Sequence, residues 1–178
     1  MLRRLSGLES FKEKIGKSLY EGSLDFRRKA LNSKLEKFIA KDKSGKEIEI
    51  EYLVGGKVGG PPLIVLHGFA DDKYNFYKAG WRLGEYFQLI IPDIPGFGGS
   101  SCHEDIPYSV NNLTNWLSQF FKKLNTKNAS ILGCSFGGVL AIKLARKHPK
   151  LIKKIILVGS AGFLPKNNKD NSIYDELS

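Results

Sequence analysis

The segment Gly133-Cys134-Ser135-Phe136-Gly137 constrains the fold more than any other part of this sequence. Residues 129–132 before it are an apolar run that predicts a short buried strand, and the apolar spacing after it predicts a helix over 137–148. A serine held between a strand and a helix by glycines is the pattern of a nucleophile elbow, a sharp turn that exposes the hydroxyl group. We therefore expect Ser135 to be a nucleophile, with Gly133, Gly137 and Gly138 as the small residues that the turn requires.

Strands and helices alternate along the rest of the chain. Period-two alternation over 35–54 predicts a β-hairpin, and apolar runs predict further strands at 63–66, 87–91 and 154–159. Helical spacing predicts helices over 75–86 and 110–124, the second with Ser109 as its N-cap. This order predicts an α/β fold with a mostly parallel sheet of about six strands.

The first residues are helical in pattern and strongly basic. Apolar residues recur every three or four positions over residues 1–31, with an interruption expected at Gly22-Ser23. Residues 1–46 carry +7 of the chain's net charge of +10. This helix either packs on its own domain or binds an anionic membrane surface. Nucleic acid is not an expected partner, because acidic residues are mixed with the basic ones and no aromatic stacking platform is evident.

The cysteines and the apolar runs of the sequence bear on where the protein is located. The two cysteines, Cys102 and Cys134, do not form a disulfide framework and mildly favour a reducing compartment. No apolar stretch follows the N-terminal arginines, and no window approaches about 18 consecutive apolar residues. We therefore expect no signal peptide and no membrane span, and a cytoplasmic location with peripheral membrane contact as an option.

Two loops at strand ends accompany the elbow. His67-Gly68-Phe69 follows strand 63–66, and Gly68 would let the backbone turn so that the Phe69 N–H faces the site. The second loop, Asp93 to Ser100, is rich in glycine and is expected to shape the wall of the site. Its glycines do not have the spacing of a nucleotide-binding loop, so no nucleotide cofactor is expected.

These three motifs together resemble the α/β-hydrolase superfamily, and the later Val158-Gly159-Ser160-Ala161-Gly162 is similar to its monoacylglycerol-lipase-like and bacterial lipase or esterase members. The resemblance covers about residues 35–164. It implies acyl transfer from a small-molecule ester or lipid, with Ser135 as nucleophile, the Phe69 and Phe136 N–H groups as oxyanion hole, and no cofactor or metal. Two alternatives remain: a carbon–carbon-bond hydrolase of the same superfamily, or a non-catalytic chain that is either a remnant or a membrane-surface binding module.

The family places an acid and then a histidine after the serine, and here the pattern breaks. The one later histidine, His148, lies about 11 residues and roughly 16 Å along the helix from the elbow, and is expected to be a cation near a helix C-terminus. His67 is expected to be structural, His103 is a conceivable substitute base, and Asp93 is expected to stabilise a turn. The sequence thus predicts a basic extension (1–34), a partial hydrolase core (35–164) and a polar tail (165–178). A missing C-terminal segment would supply the acid and histidine, and the chain alone is expected to be inactive.

Overall fold

The computed structural model describes residues 2–124 and 128–162, which form one six-stranded sheet with helices on both faces. The expected polar tail, residues 165–178, lies outside the described residues. The elements follow the chain in this order: α1 Leu2–Ala30, β1 Lys34–Lys41, β2 Glu47–Gly56, β3 Pro62–Leu66, a 3₁₀ turn Lys73–Phe76, α2 Tyr77–Leu83, β4 Gln88–Pro92, α3 Val110–Leu124, β5 Ala129–Cys134, α4 Phe136–Lys147 and β6 Ile152–Val158.

The sheet has the strand order β1-β2-β4-β3-β5-β6. The hairpin β1–β2 is antiparallel, and β2 pairs antiparallel with β4. The remaining pairs, β4–β3, β3–β5 and β5–β6, are parallel. The predicted fold class, a mostly parallel sheet of about six strands after a hairpin, is therefore confirmed.

The central strands are buried on both faces, as the continuous apolar run of β3 predicts. On one face α3 and α4 cover the sheet, with Trp116 and Phe120 at the centre of the larger apolar core. On the other face Leu31 and Tyr74 belong to a smaller core. Ser109 caps α3 as expected, because its Oγ accepts a hydrogen bond from the Asn112 N–H at 3.2 Å.

Two helices differ from the prediction. The expected interruption of α1 at Gly22 is wrong: the helix continues to Ala30, because an exposed glycine weakens a helix by only about 1 kcal/mol and does not break it. The helix predicted over 75–86 is a 3₁₀ turn followed by the shorter α2, which ends at Leu83. The chain passes close to the β2 turn there, and a Cβ on Gly84 would lie 3.2 Å from the Gly56 Cα.

One edge of the sheet is apolar and open. Among the described residues no strand pairs with the outer edge of β6, and its residues 155–158 are 39–50% exposed. An exposed apolar edge strand is a template for pairing with another chain.

We expect Ile156→Lys to reduce aggregation of the 178-residue chain, because a charge on an edge strand opposes edge-to-edge pairing. Light scattering against protein concentration measures the effect. Tyr86→Lys adds the same charge at a site that is 64% exposed and lies outside the sheet, and serves as the matched control. Equal scattering by the two variants would show that β6 is not the site of association.

Candidate active site

Ser135 is the single residue between β5 and α4, and its backbone has a conformation that few residues adopt. Its φ is 47° and its ψ is −116°, which for a residue with a side chain costs about 1–3 kcal/mol. Three backbone hydrogen bonds hold it there: its N–H donates to the Val158 carbonyl at 3.1 Å, and its carbonyl accepts from the N–H groups of Gly138 and Ala161. The side chain is exposed, so the turn presents the Oγ to solvent.

The glycines around Ser135 are required by close approach of the backbone. A Cβ on Gly133 would lie 2.5 Å from the Gly137 carbonyl oxygen, and a Cβ on Gly137 would meet the carbonyl oxygens of Leu66 and His67. A Cβ on Gly138 would clash with the Ser160 side chain. These contacts bring the start of α4 directly against the end of β3.

His67 fixes the loop that follows β3. Its Nε2 accepts a hydrogen bond from the Ile94 N–H at 2.9 Å, so the proton of the neutral ring is on Nδ1, which donates to the Gly68 carbonyl at 2.8 Å. The carbonyl and the next N–H point in opposite directions across a trans peptide. Because the Gly68 carbonyl faces the buried ring, the Phe69 N–H faces away from it.

The loop after β3 and the start of α4 both lie beside Ser135. Gly68 lies against the serine, since a Cβ on Gly68 would be 3.5 Å from the Ser135 Cβ, and Phe69 follows directly. Phe136 is the first residue of α4, so its N–H has no partner inside the helix and lies at the positive end of the helix dipole. The structure therefore brings together Gly68, Phe69, Ser135 and Phe136.

Three phenylalanines form an apolar wall beside the serine. The ring of Phe69 is 72% exposed and meets the Phe97 ring edge-on at 5.3 Å and the Phe136 ring at 6.4 Å. Phe97 also contacts the His67 ring, at 5.9 Å. The entrance to Ser135 is thus suited to an apolar group.

Asp93 is engaged in a buried ion-pair network and does not face Ser135. Its carboxylate accepts hydrogen bonds from the N–H groups of Lys73 and Gly99 and from the Lys73 Nζ, each at 2.6 Å. Lys73 Nζ also lies 2.6 Å from a Glu51 carboxylate oxygen. Burial alone disfavours the lysine cation, but the hydrogen bonds with Asp93 and Glu51 outweigh it and raise the pKa of Lys73.

The other two histidines lie away from the serine. His148 follows the far end of α4, about 18 Å from Ser135 along the helix axis. Burial and the nearby Lys122 and Lys147 lower the pKa of His148, which disfavours the cation expected at this helix C-terminus. His103 contacts the Glu47 carbonyl of β2 at 3.3 Å, and β2 is three strands from β5, about 14 Å across the sheet.

Sequence reasoning missed Lys73. Lysine is among the residues least often buried, and nothing in the surrounding Asp71-Asp72-Lys73 pattern marks this one as internal. Its partners are 20 and 22 residues away in the chain, so only the folded sheet brings them together.

The sequence of this chain is similar to those of known proteins. The sequence model of the α/β hydrolase fold matches residues 61–175. Lipase 1 of Psychrobacter immobilis is 38% identical over 113 residues, which are 63% of this chain and 35% of the lipase. A 1-acylglycerol-3-phosphate O-acyltransferase of Arabidopsis thaliana is 38% identical over 111 residues, 60% of this chain and 27% of the acyltransferase.

A solved structure is similar over nearly the whole chain. The crystal structure of a membrane phospholipase A, described as a bacterial virulence factor, superposes with a TM-score of 0.72 at 27% identity. The match covers 94% of this chain and 55% of the phospholipase. The chain therefore spans between 27% and 55% of the lengths of these three proteins.

Proposed function

The chain belongs to the α/β-hydrolase fold family, and on that premise we propose that it carries the nucleophile and the oxyanion hole of a serine hydrolase acting on carboxylic esters. The observation that carries the proposal is the strained, exposed Ser135, which lies against Gly68 at the start of α4. Strain of this kind persists only where the surrounding structure enforces it, and it is concentrated at active sites.

The reaction would proceed in two acyl-transfer steps. The Ser135 Oγ forms a bond to the ester carbonyl carbon, and the carbonyl oxygen becomes an oxyanion that accepts hydrogen bonds from Phe69 and Phe136. Collapse of this intermediate breaks the ester C–O bond, and the alcohol leaves with the proton of the serine. Water then repeats the attack on the acyl-enzyme and releases the acid.

An acyl group of a lipid is the substrate class that best fits the site. The three-phenylalanine wall offers apolar contacts, and the names of the relatives, lipase, phospholipase and acyltransferase, all refer to acyl esters. The 38% identity to the lipase and to the acyltransferase exceeds the 31% identity to a 2-hydroxy-6-oxo-6-(2'-aminophenyl)hexa-2,4-dienoic acid hydrolase of Metapseudomonas resinovorans, and this difference supports ester chemistry over carbon–carbon bond hydrolysis. The positive charge of residues 1–31 supports a setting at an anionic lipid surface.

The 178-residue chain is proposed to lack the general base of this reaction. Both ring nitrogens of His67 are occupied, and His103 and His148 lie far from Ser135. Without a base the serine hydroxyl is a weak nucleophile at neutral pH. A histidine and an acid from a segment outside these 178 residues would complete the site.

Added imidazole can stand in for the missing base and so tests the nucleophile. We expect hydrolysis of p-nitrophenyl butyrate by the chain to match that of Ser135→Ala in plain buffer. In imidazole buffer the unaltered chain should hydrolyse the ester faster than Ser135→Ala does. The rate with Ser135→Ala measures the background, which is the direct attack of imidazole on the ester.

Ser160→Ala is the matched control, because Ser160 is near the elbow but its Oγ donates to the Ala161 carbonyl. It should keep the imidazole-dependent rate. A rate in imidazole that does not depend on Ser135 contradicts the nucleophile assignment and favours a non-catalytic chain. Rapid Ser135-dependent hydrolysis in plain buffer contradicts the missing base.

A further inference from the structure

Over residues 14–30, whose side chains the structure describes, helix α1 packs on the domain only near its C-terminal end. It is 29 residues long, about 44 Å, yet residues 14–22 are all exposed. Leu24 and the following Leu31 contact the smaller core, and Phe26 meets the Tyr77 ring at 6.5 Å. A Cβ on Gly16 or Gly22 would meet open space.

One side of the exposed part of α1 carries an apolar stripe. Ile15, Leu19 and Phe26 are 45%, 71% and 65% exposed. At 100° per residue they lie within about 40° of one another, on the side opposite Leu24. The structure therefore turns Ile15 and Leu19 away from the domain, whereas Phe26, at the C-terminal end of the stripe, also contacts the Tyr77 ring.

The stripe is flanked by positive charge. Within the described part of the chain, the acidic residues Glu21 and Asp25 are paired with Lys17 and Arg28, whereas Lys14 and Lys29 have no acidic partner. An apolar stripe with cationic flanks fits the interface of an anionic bilayer, where the apolar side chains enter the acyl region and the cations meet the headgroups.

The exposed part of α1 extends beyond the edge of the sheet at which Ser135 lies. Tyr20 and Glu21 line the same cleft as Lys73 and Gly99, which follow the carboxyl ends of β3 and β4. At the other end, Leu31 contacts Gly55, which pairs with Leu89 at the start of β4. Residues 14–19 therefore project past the carboxyl edge, on the side of the elbow.

From these observations we propose that α1 lies in the interface of an anionic membrane, inserting Ile15 and Leu19 beside the open side of the Ser135 site. Over residues 2–124 and 128–162, no helix has the length and apolar character needed to cross a bilayer. This surface would bring a lipid ester to the site of the proposed function, but the membrane binding itself does not depend on the chemistry of Ser135.

Flotation with vesicles tests this surface. We expect the chain to float with vesicles of phosphatidylcholine mixed with phosphatidylglycerol, less at high salt, and weakly with phosphatidylcholine alone. Leu19→Glu should reduce the partition coefficient about tenfold or more. The change removes a leucine side chain that would enter the bilayer and adds a negative charge that the anionic headgroups repel. Val58→Glu makes the same kind of change at a residue that is 93% exposed in the turn after β2, and should bind like the unaltered chain.

Three outcomes would overturn the proposal: equal binding by Leu19→Glu and Val58→Glu, equal binding to neutral and anionic vesicles, or no lipid binding together with self-association that Leu19→Glu abolishes. The last would assign the stripe to a second copy of the chain. Circular dichroism checks that the variants keep their helices. Ser135→Ala should bind vesicles normally, so failure of the proposed chemistry and failure of this contact are separate results.

Discussion

Gly137→Ala is expected to destabilise the protein by about 3 kcal/mol or more, beyond the usual range for overpacking. The added methyl group would meet the carbonyl oxygens of Leu66 and His67, which belong to the backbone and cannot rotate away. Relief requires β3 and α4 to separate, and the loop His67–Phe69 begins at that junction. Urea unfolding followed by circular dichroism measures the loss.

Gly22→Ala is the matched control for this prediction. It is the same substitution in a helix, but a Cβ on Gly22 meets nothing within 4 Å. Alanine there should leave stability unchanged or raise it by up to about 1 kcal/mol, because glycine is the weaker helix former. If Gly137→Ala unfolds at the same urea concentration as Gly22→Ala, the close approach of α4 and β3 is not as described.

Lys73→Met is expected to lower stability by about 3–5 kcal/mol, since it leaves the carboxylate of Asp93 buried without its cation. The side chains of Lys73 and Asp93 are 3% and 0% exposed, so water cannot replace the lost partner. Lys37→Met is the control, because it breaks an exposed pair with Glu49 and should change stability by at most about 1 kcal/mol. Similar losses in both variants would contradict the importance of burial.

The difference in stability between the unaltered chain and Lys73→Met is expected to become smaller at alkaline pH. The pKa of Lys73 is raised above the ordinary lysine value of 10.5, so the folded state holds its proton more tightly than the unfolded state does. The stabilisation is fully present below pH 10.5 and is lost as the pH rises through the folded-state pKa. Urea unfolding at neutral and at strongly alkaline pH should therefore show the gap between the unaltered chain and Lys73→Met becoming smaller.

The elbow is predictable from sequence because its determinants are adjacent in the chain. The glycine spacing and the change from an apolar strand to a helical pattern lie within about twenty residues around Ser135. The strands β3 and β5 are predictable for the same reason, since strands buried on both faces are continuously apolar.

The ion-pair network and the direction of α1 are not predictable in this way. Lys73, Glu51 and Asp93 meet only because β2 and β4 become neighbours in the sheet. Periodicity places Ile15 and Leu19 on one face of a helix, but it does not show whether that face meets the domain or solvent. That depends on which residues at the end of the helix contact the core, here Leu24 and Leu31.

The position of β3 inside the sheet determines when the protein can complete its fold during synthesis. The β1–β2 hairpin joins nearby residues and can form as soon as it leaves the ribosome. By contrast, Leu63 of β3 pairs with Leu89 on one side and Ser130 on the other, 26 and 67 residues later in the chain. Closing such long loops slows folding, and the most apolar strand stays half-paired until β5 has been translated.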